Sequence, residues 1–562
     1  MDNLNAILRK YALQNAVGFG GKADVKAVIG KALSSDPSLR SSVQEVSKLA
    51  ASVVAEVNKL SGEKQRAELE QRAPELLERK KHAKRELLEL KGAVKGKVVT
   101  RMAPEPSKHA HIGHALTFLI NYLYAEKYSG KCILRLEDTN PELAKSEYAE
   151  SIKEDIAFLG IKPSKAIIAS NDMPRFYELA EKLVRDGNAY ACFCTRERMR
   201  ELRHKGLACE CRTSDAKKNL EEWKNVIGKK YREGECVLRL KGDMESANHA
   251  MRDPVLFRLN YSEHFLHKNK YAAWPTYDFE NAVEDGLCGV THILRSIEFG
   301  EMRNELQSYL KNLLCLPQQI VVQYGRFAVA GALTQGREIR KLIDEGKFTG
   351  WDDPRLVTIK ALRKRGIVPE TFHELAIEVG LSKTSTTIDW SIIESINRKH
   401  LDPVCNRYFF VEKPKAITVK GAPIQHVSLK LHPDHPERGS RDMGTEEDFY
   451  ISEKDFHELK DAKLYRLMDC LNFRKKGSGF VFDSKEHAAF REKGEKIIHW
   501  LPDSPGLIKT EVMMPDAKII EGLAEPAIRK VKENDIVQFV RFGFCRLEKA
   551  EKDKLFFWYC HQ

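Results

Sequence analysis

The chain lacks a hydrophobic run of the length that a membrane span requires. Apolar residues make up 42% and charged residues 31% of its 562 positions, and no stretch approaches the roughly 18 uncharged apolar residues of a transmembrane helix. The opening residues Met1-Asp2-Asn3 lack the basic-then-apolar layout of a secretory signal. We therefore expect a soluble, cytoplasmic protein that does not work at a membrane.

The chain also lacks an obvious internal repeat, a low-complexity tract and a disulfide framework. Its 12 cysteines are mostly single and scattered, which is typical of a reducing compartment. A formal charge of +12 spread along the chain makes a polyanion a plausible partner. A basic protein without a polyanionic partner would carry the same charge, so only the motifs can indicate whether the partner is a nucleic acid.

The length predicts three or more domains, and the patterns change along the chain accordingly. Residues 1–95 show apolar residues at helical spacing and are expected to form an all-helical appendage, with a helical hairpin over 63–91. Residues 96–335 open as strand, helix, strand, which predicts a Rossmann-type α/β domain with an insertion near 190–270. A helical connecting domain is expected over 336–398, and β-barrels over 399–562.

One motif between the first strand and the following helix carries most of the chemical signal. It reads Pro104-Glu105-Pro106-Ser107-Lys108-His109-Ala110-His111-Ile112-Gly113-His114. His111 and His114 fall on one face of the first helical turn, where free N–H groups and the helix dipole favour a phosphate. Gly113 lets a nucleotide lie against the backbone, and the proline Pro104 stiffens the approach. The alternative interpretation is a histidine-rich surface turn that binds no ligand.

The segments "VVTRMAPEPSKHAHIGHA" and "LRLEDTNPE" resemble the opening of the glutamyl and glutaminyl branch of class I aminoacyl-tRNA synthetases. Further segments are similar to the archaeal-type glutamyl enzymes, so the resemblance runs from about Lys97 to the C-terminus: "WPTYDFENAVEDGLCGVTHILRSIEF", "GWDDPRL", "NRYFFV", "HPDHPERG" and "VQFVRFGFCRL". The resemblance implies ATP as a substrate, Mg²⁺, L-glutamate and tRNA, with the insertion at the acceptor end and the barrels at the anticodon.

The resemblance also implies the substrate contacts. Arg101 and Arg295 would hold the glutamate side chain, Glu137 its ammonium group, and Tyr277 would add a further contact. Glutaminyl relatives resemble "FDDTNP" where this chain has "LEDTNP", and they lack an arginine where Arg295 stands. A cationic pocket favours glutamate over its neutral amide, so both differences favour glutamate.

The second ATP motif of the family, a mobile loop with a central lysine, departs from the family pattern. It falls on residues 331–341, where no lysine occupies the centre. Arg337 is the best candidate to meet the charge that develops at the α-phosphate. A catalytically silent, RNA-binding paralogue therefore stays open, as do a glutaminyl enzyme and a smaller nucleotidyltransferase carrying unrelated domains.

Four cysteines in the inserted region form two CxC pairs, namely Cys192, Cys194, Cys209 and Cys211. Four thiolates suit tetrahedral zinc and leave no open coordination position, which predicts a structural Zn²⁺. Four free thiols are the alternative. The sequence leaves open whether glutamine-acceptor tRNA is charged as well, and it leaves open the oligomeric state.

Overall fold

The computed structural model describes residues 2–18, 21–36, 39, 43–76 and 86–562. The chain divides into two compact units, Met1–Glu86 and Leu87–Gln562. No helix in these ranges is long and apolar enough to cross a membrane.

The first unit is helical where it is described. Its helices are α1 Asp2–Gly18, α2 Val25–Ser35, α3 Val43–Val57 and α4 Gly62–Arg72. Asp24 and Ser61 cap α2 and α4 by accepting hydrogen bonds from backbone N–H groups. Leu8, Val46 and Leu69 are buried in the core between these helices. The apolar spacing in the sequence therefore predicted the helical character of this unit.

The boundary between the units lies nine residues before the predicted one, and the predicted hairpin over 63–91 is not helical at its C-terminal end. Residues 86–90 form no helix, and residues 77–85 lie outside the described ranges. Lys127 donates to the Leu87 carbonyl oxygen at 2.6 Å, and Leu90 N donates to Tyr128 Oη at 2.8 Å. These contacts tie the segment to the second unit because they satisfy its backbone groups without a helix.

The second unit opens with a parallel α/β sheet. Its first elements are β1 Val99–Met102, α5 Ile112–Lys127, β2 Lys131–Leu136, α6 Ser146–Phe158, β3 Lys165–Ile168 and α7 Met173–Arg185. β1 pairs with β2 and β2 with β3, both in parallel. Because the carboxyl ends of these strands meet at one edge, the residues that follow them are brought together.

An antiparallel sheet interrupts this α/β pattern near the predicted insertion. The elements are β4 Ala189–Cys192, α8 Arg196–Lys205, α9 Ala216–Ile227, β5 Val237–Leu240, β6 Val255–Leu259 and β7 Ala273–Pro275. The strands pair in sequence order. Buried Trp223, Phe257 and Trp274 pack in the core beneath the sheet.

The α/β pattern then resumes beside β1. The elements are α10 Tyr277–Leu287, β8 His292–Ser296, α11 Glu301–Leu314, β9 Ile320–Tyr324 and β10 Phe327–Val329. β8 pairs in parallel with β9, and Thr291 N donates to the Val99 carbonyl oxygen at 2.9 Å. This bond places β8 next to β1.

Mostly helical elements follow, as the sequence predicted. They are α12 Gly336–Asp344, α13 Ile359–Lys364, α14 Pro369–Val379, β11 Thr386–Ile388 and α15 Trp390–Leu401. The short strand β11 pairs in parallel with β10. Residues 357–359 also bond to the chain before α5, because Ile112 N donates to Val357 O and Ile359 N donates to Ala110 O, both at 2.9 Å.

Residues 405–562, all of which are described, are dominated by strands. The elements are β12 Arg407–Tyr408, β13 Phe410–Glu412, β14 Pro414–Lys420, β15 Gln425–Lys430, β16 Ser440–Thr445, β17 Asp448–Ser452, α16 Glu453–Glu458, β18 Leu464–Leu467, β19 Leu471–Lys476, β20 Gly479–Ser484, α17 His487–Lys493, β21 Gly494–Ile498, β22 Leu501–Pro502, β23 Ile508–Met513, β24 Ile519–Ala524, β25 Ile536–Phe539, β26 Gly543–Ala550 and β27 Lys554–His561. Two seven-stranded sheets form here, in the orders β12-β25-β26-β27-β23-β24-β13 and β21-β18-β19-β20-β14-β17-β22.

A buried ion pair joins separate parts of this strand-rich region. The Glu525 carboxylate accepts hydrogen bonds from Phe409 N at 2.8 Å and from Arg441 Nε at 2.9 Å. The side chains of Arg441 and Glu525 are 4% and 0% exposed. Burial raises the pKa of Glu525, and the Arg441 charge opposes that rise.

We predict that Arg441→Met destabilises the strand-rich region by about 3 to 5 kcal/mol, because it leaves a buried carboxylate without its cation. Denaturant unfolding followed by circular dichroism measures the change. The control is Lys415→Met, which removes one half of the surface pair Lys415–Glu453 and is expected to cost about 1 kcal/mol or less. Equal, small losses in both variants would contradict the prediction.

Candidate active site

A cavity of about 1200 Å³ opens at the carboxyl ends of β1, β2 and β8, beside the N-terminus of α5. Eight of the residues predicted from the sequence line it, namely Arg101, Pro104, His111, Gly113, His114, Glu137, Tyr277 and Arg295. Clefts at this edge of a parallel sheet are where α/β folds bind ligands. The residues are far apart in the sequence, and the fold brings them into one space.

The two histidines of the cavity form the cap of helix α5. His111 is the N-cap residue, and its Nδ1 accepts a hydrogen bond from Gly113 N at 3.1 Å. The Nδ1 of His114 accepts from His111 N at 3.2 Å, which completes a reciprocal capping box. Both rings therefore satisfy free N–H groups at the helix terminus.

Burial keeps both rings neutral, and the cap selects their tautomer. Burial, with the nearby His114, Lys108 and Arg326 charges, lowers the pKa of His111 to about 2. Burial and the Lys108 charge lower the pKa of His114 to about 3. A neutral imidazole whose Nδ1 accepts a hydrogen bond carries its proton on Nε2. Each ring thus keeps one N–H donor for a ligand.

Gly113 is required by the packing of the cap as well as by any ligand. A Cβ at this position would lie 3.0 Å from His111 Cε1 and 3.2 Å from the Phe327 carbonyl oxygen. The sequence pattern predicts only the close approach of a nucleotide at this glycine. The structure adds that a side chain here would push against the His111 ring.

A buried cluster of charges lies at the deep end of the cavity. Arg135 donates to Asp285 Oδ1 at 2.7 Å and to Glu137 Oε1 at 2.8 Å, and its side chain is fully buried. Arg101 Nε donates to the same Asp285 oxygen at 3.0 Å, and Asn281 Nδ2 donates to Glu137 Oε1 at 3.0 Å. The cluster ties β1 and β2 to α10.

Charge balance within this cluster decides which acids are ionised. Although burial would raise it, the charges of Arg101 and Arg135 lower the pKa of Asp285 to about 2. Burial raises the pKa of Glu137 despite the same two arginines. Asp285 is therefore the fixed anion that orients both arginines. Glu137 faces the cavity and would be stabilised in its charged form by a bound cation.

Arg295 lies on β8 with its side chain buried. Its Nη1 donates to Gln307 Oε1 at 3.1 Å and lies 3.5 Å from Tyr277 Oη, and its Nη2 donates to Asn304. Burial, together with the Arg101 charge, lowers the pKa of Arg295. Two neighbouring guanidinium groups in a partly desolvated cavity favour an anion between them.

Sequence reasoning missed several residues of this site. Arg135 and Asp285 were not singled out, although an arginine inside the apolar strand "CILRL" was a usable signal. The histidine motif contains Lys108, for which the sequence predicts no role, and this lysine lines the cavity. The structure places Arg337 on the exposed part of α12, outside the cavity lining, so its role stays a prediction.

The four cysteines predicted as zinc ligands lie together at the edge of the inserted sheet. Their sulfur atoms are all within 4.8 Å of one another, and Cys192 Sγ lies 3.8 Å from Cys209 Sγ. Tetrahedral zinc with Zn–S bonds of about 2.3 Å holds its sulfur ligands about 3.8 Å apart. The donor set and its spacing therefore fit Zn²⁺.

A buried arginine supports this cysteine cluster from behind. Arg239 Nη1 lies 3.7 Å from Cys192 Sγ and 3.6 Å from Cys209 Sγ, and Tyr190 Oη lies 3.5 Å from Cys209 Sγ. Although burial would raise it, the Tyr190 hydrogen bond and the Arg239 charge lower the pKa of the Cys209 thiol. Burial raises the pKa of Cys192 and of Cys194. Among these three sulfurs the neighbouring donors therefore stabilise the thiolate of Cys209, and a thiolate is the form that binds a metal.

Known protein families match most of the chain. Residues 97–403 match the family of class I tRNA synthetases (E and Q), catalytic domain, and residues 405–487 and 497–548 match two anticodon-binding domain families of the same class. The chain is 42% identical to the glutamate–tRNA ligase of Pyrococcus abyssi over 99% of both chains.

Two further relatives match over almost the same extent. The glutamate–tRNA ligase of Thermococcus kodakarensis is 41% identical over 100% of both chains. That of Methanocaldococcus jannaschii is 37% identical over 98% of this chain and 99% of its own. The resemblance drawn from the motifs is confirmed, and the chain belongs to the glutamyl and glutaminyl family of class I tRNA synthetases.

Proposed function

We infer that the protein is a glutamate–tRNA ligase. The observation that carries this inference is that the helix-capping histidines line the same cavity as Arg101 and Arg295. Relatives that match over their full length and carry the name glutamate–tRNA ligase, together with matches to anticodon-binding domains, support tRNA as the macromolecular substrate. A class I synthetase uses ATP to activate its amino acid.

The reaction has two steps. An oxygen of the glutamate α-carboxylate attacks the α-phosphorus of ATP, and the bond to the leaving pyrophosphate breaks to give glutamyl-adenylate. A ribose hydroxyl of the terminal tRNA adenosine then attacks the activated carbonyl, loses its proton and releases AMP. The protein's part is to position the reactants and to stabilise charge, with Mg²⁺ accompanying the ATP substrate.

At the phosphate end, the Nε2–H groups of His111 and His114 are the proposed donors. Both rings are neutral and held by the helix cap, so no reorganisation is needed when charge develops on the phosphates. The N-terminus of α5 adds the partial positive charge of its dipole. Pro104 and Gly113 line the same part of the cavity and would border the nucleotide.

At the amino-acid end, Arg295 and Arg101 are the proposed partners of the glutamate side-chain carboxylate, and Glu137 that of its ammonium group. Each of these two substrate charges would offset an unbalanced charge in the wall of the cavity. The carboxylate relieves the repulsion between two guanidinium groups, and the ammonium favours the ionised form of Glu137, whose pKa burial raises. The Tyr277 hydroxyl lies beside Arg295 and adds a neutral donor.

The remaining domains have proposed roles of their own. We propose that the insertion around β4–β7 binds the acceptor end and that residues 399–562 bind the anticodon. We also propose that the first seven-stranded sheet closes into a barrel, because β12 pairs with β25 and the next strand β13 pairs with β24. We further propose that the protein also charges glutamine-acceptor tRNA and that it works in the cytoplasm.

A catalytically silent paralogue is the second candidate, favoured by the absence of a lysine among residues 331–340. The intact histidine cap and the arginine pocket argue against it. A glutaminyl enzyme is the third candidate. Arg295 argues against it, because the neutral amide of glutamine would offer the buried guanidinium no opposite charge.

We expect purified protein to release pyrophosphate and to form aminoacyl-tRNA with glutamate, ATP and glutamate-acceptor tRNA. Acid-stable radiolabel on tRNA measures the product, and glutamine replaces glutamate as the control. Charging with glutamine instead would show a glutaminyl enzyme. Binding of tRNA without any charging would show a silent paralogue.

We predict that Arg295→Ala lowers the catalytic efficiency with glutamate by about 30-fold to several thousandfold, equivalent to roughly 2 to 5 kcal/mol, because a partly desolvated carboxylate loses a charged partner. Steady-state aminoacylation kinetics measure the loss. The weak use of glutamine should fall much less, since the amide carries no charge.

The control for this variant is Arg175→Ala, which removes an exposed arginine paired with Glu178 and should leave both substrates unaffected. Equal losses for glutamate and glutamine in Arg295→Ala would mean that Arg295 supports the fold and does not read the substrate.

We predict one Zn²⁺ per chain, held by Cys192, Cys194, Cys209 and Cys211. Cys192→Ser should lower the metal content and weaken tRNA binding more than adenylate formation, because the cluster lies in the insertion. Elemental analysis of protein purified without chelator gives the stoichiometry. The control is Cys315→Ser, an exposed cysteine outside the cluster, and a stoichiometry near zero in the unmodified protein would disprove the metal site.

A further inference from the structure

The phosphate end of the cavity needs a cation that the two histidines do not supply. Their pKa values of about 2 and about 3 make both rings neutral in neutral solution. The turn that leads into α12 contributes Thr334 and Gln335 to the cavity lining, and neither carries a charge. A triphosphate bound here would therefore meet neutral donors from both of these elements.

Lys108 lies in the wall of the same cavity, three residues before His111. It is half-buried, and within residues 86–562 no carboxylate lies within 4.0 Å of its ammonium nitrogen. Its charge reaches both histidine rings, because Lys108 contributes to the lowered pKa of His111 and of His114. The ammonium group is thus close to the two proposed phosphate donors.

The side chain of Lys108 runs along the start of α12. A Cβ placed on Gly336 would lie 2.9 Å from Lys108 Cδ and 3.5 Å from Lys108 Cβ, so the aliphatic part of the lysine packs against a backbone without a side chain. Arg340 Nη2 donates to the Ser107 carbonyl oxygen at 3.1 Å and holds the two segments together. Lys108 therefore reaches the space next to Gln335.

The other cation near the histidines is already engaged. Arg326 contributes to the lowered pKa of His111, but its Nη1 lies 3.2 Å from Glu298 Oε1. For Lys108, burial and the Arg326 and Arg340 charges lower the pKa, while Glu105 and Glu298 oppose that effect. A half-buried ammonium among cations is stabilised by an anion that approaches it.

We propose that Lys108 is a catalytic residue that binds the triphosphate of ATP and stabilises the charge that develops on the departing pyrophosphate. The lysine lies in the histidine-containing segment before α5. It supplies the positive charge at the phosphates that the segment before α12 lacks. This inference rests on the proposed ligase function. It gives Lys108, and not the exposed Arg337, the role of the cation at the phosphates.

The test measures glutamate-dependent exchange of pyrophosphate into ATP, in the presence of tRNA, for a set of variants. Lys108→Met should lower kcat by about 10²-fold to 10³-fold, the loss seen when one donor to a transition-state anion is removed. The KM for glutamate should stay close to that of the unmodified protein. Lys108→Arg should keep most of the rate, because it keeps the charge.

A second lysine at the neighbouring position provides a rescue. In the double variant Lys108→Met with Gln335→Lys, part of the lost rate should return, because Gln335 lines the same end of the cavity. The control is Lys347→Met, which removes an exposed lysine paired with Glu345 outside the cavity and should leave the rate unchanged. Thermal melting of every variant distinguishes a loss of catalytic rate from a loss of folded protein. If Lys108→Met unfolds at a clearly lower temperature than the unmodified protein, Lys108→Gln replaces it.

Two results would overturn the proposal. One is a folded Lys108→Met protein with a rate close to that of the unmodified protein. The other is a Lys108→Arg protein as slow as Lys108→Met, which would show that lysine acts by packing against Gly336. If the unmodified protein gives no exchange with glutamate, the ligase function fails instead. Calorimetric titration of ATP into both proteins then tests the lysine alone, with weaker binding expected for Lys108→Met and equal binding overturning the proposal.

Discussion

The hydrogen-bonded ion cluster around Arg135 is the constraint on which the active-site geometry depends. Arg135 is fully buried and donates to both Asp285 and Glu137. The buried guanidinium is tolerated because two carboxylates balance it, and loss of either partner would leave a charge in the core. One arginine on β2 thereby sets the position of the acid that faces the cavity and of the helix that carries Tyr277.

The same cluster explains how the cavity separates two kinds of charge. Asp285 is ionised at any ordinary pH because Arg101 and Arg135 lower its pKa to about 2. Its fixed negative charge holds Arg101 in the wall of the cavity. The part of the cavity proposed for the phosphates has neutral histidines, Lys108 and the N-terminus of α5, whose dipole adds partial positive charge.

Much of this architecture was predictable because local signals and the fold agreed. The predicted strand over 98–100, the helix from Ile112 and the strand from Cys132 match β1, α5 and β2. The stretch at 86–91 looked helical from its composition, but contacts with Lys127 and Tyr128 give it another conformation. The position of Arg337 in the loop predicts a role at the phosphates, and only the three-dimensional structure shows that this arginine is exposed while Lys108 lines the cavity.

The capping box at α5 has a consequence for how the enzyme responds to acidity. Because Nδ1 of each ring is committed to a backbone N–H, the proton on Nε2 cannot move to the other nitrogen without breaking the cap. The two donors are thus the same in mildly acidic and in neutral solution. Histidine, elsewhere the residue that senses pH, serves here as a pair of neutral ring N–H donors whose orientation is set when the helix folds.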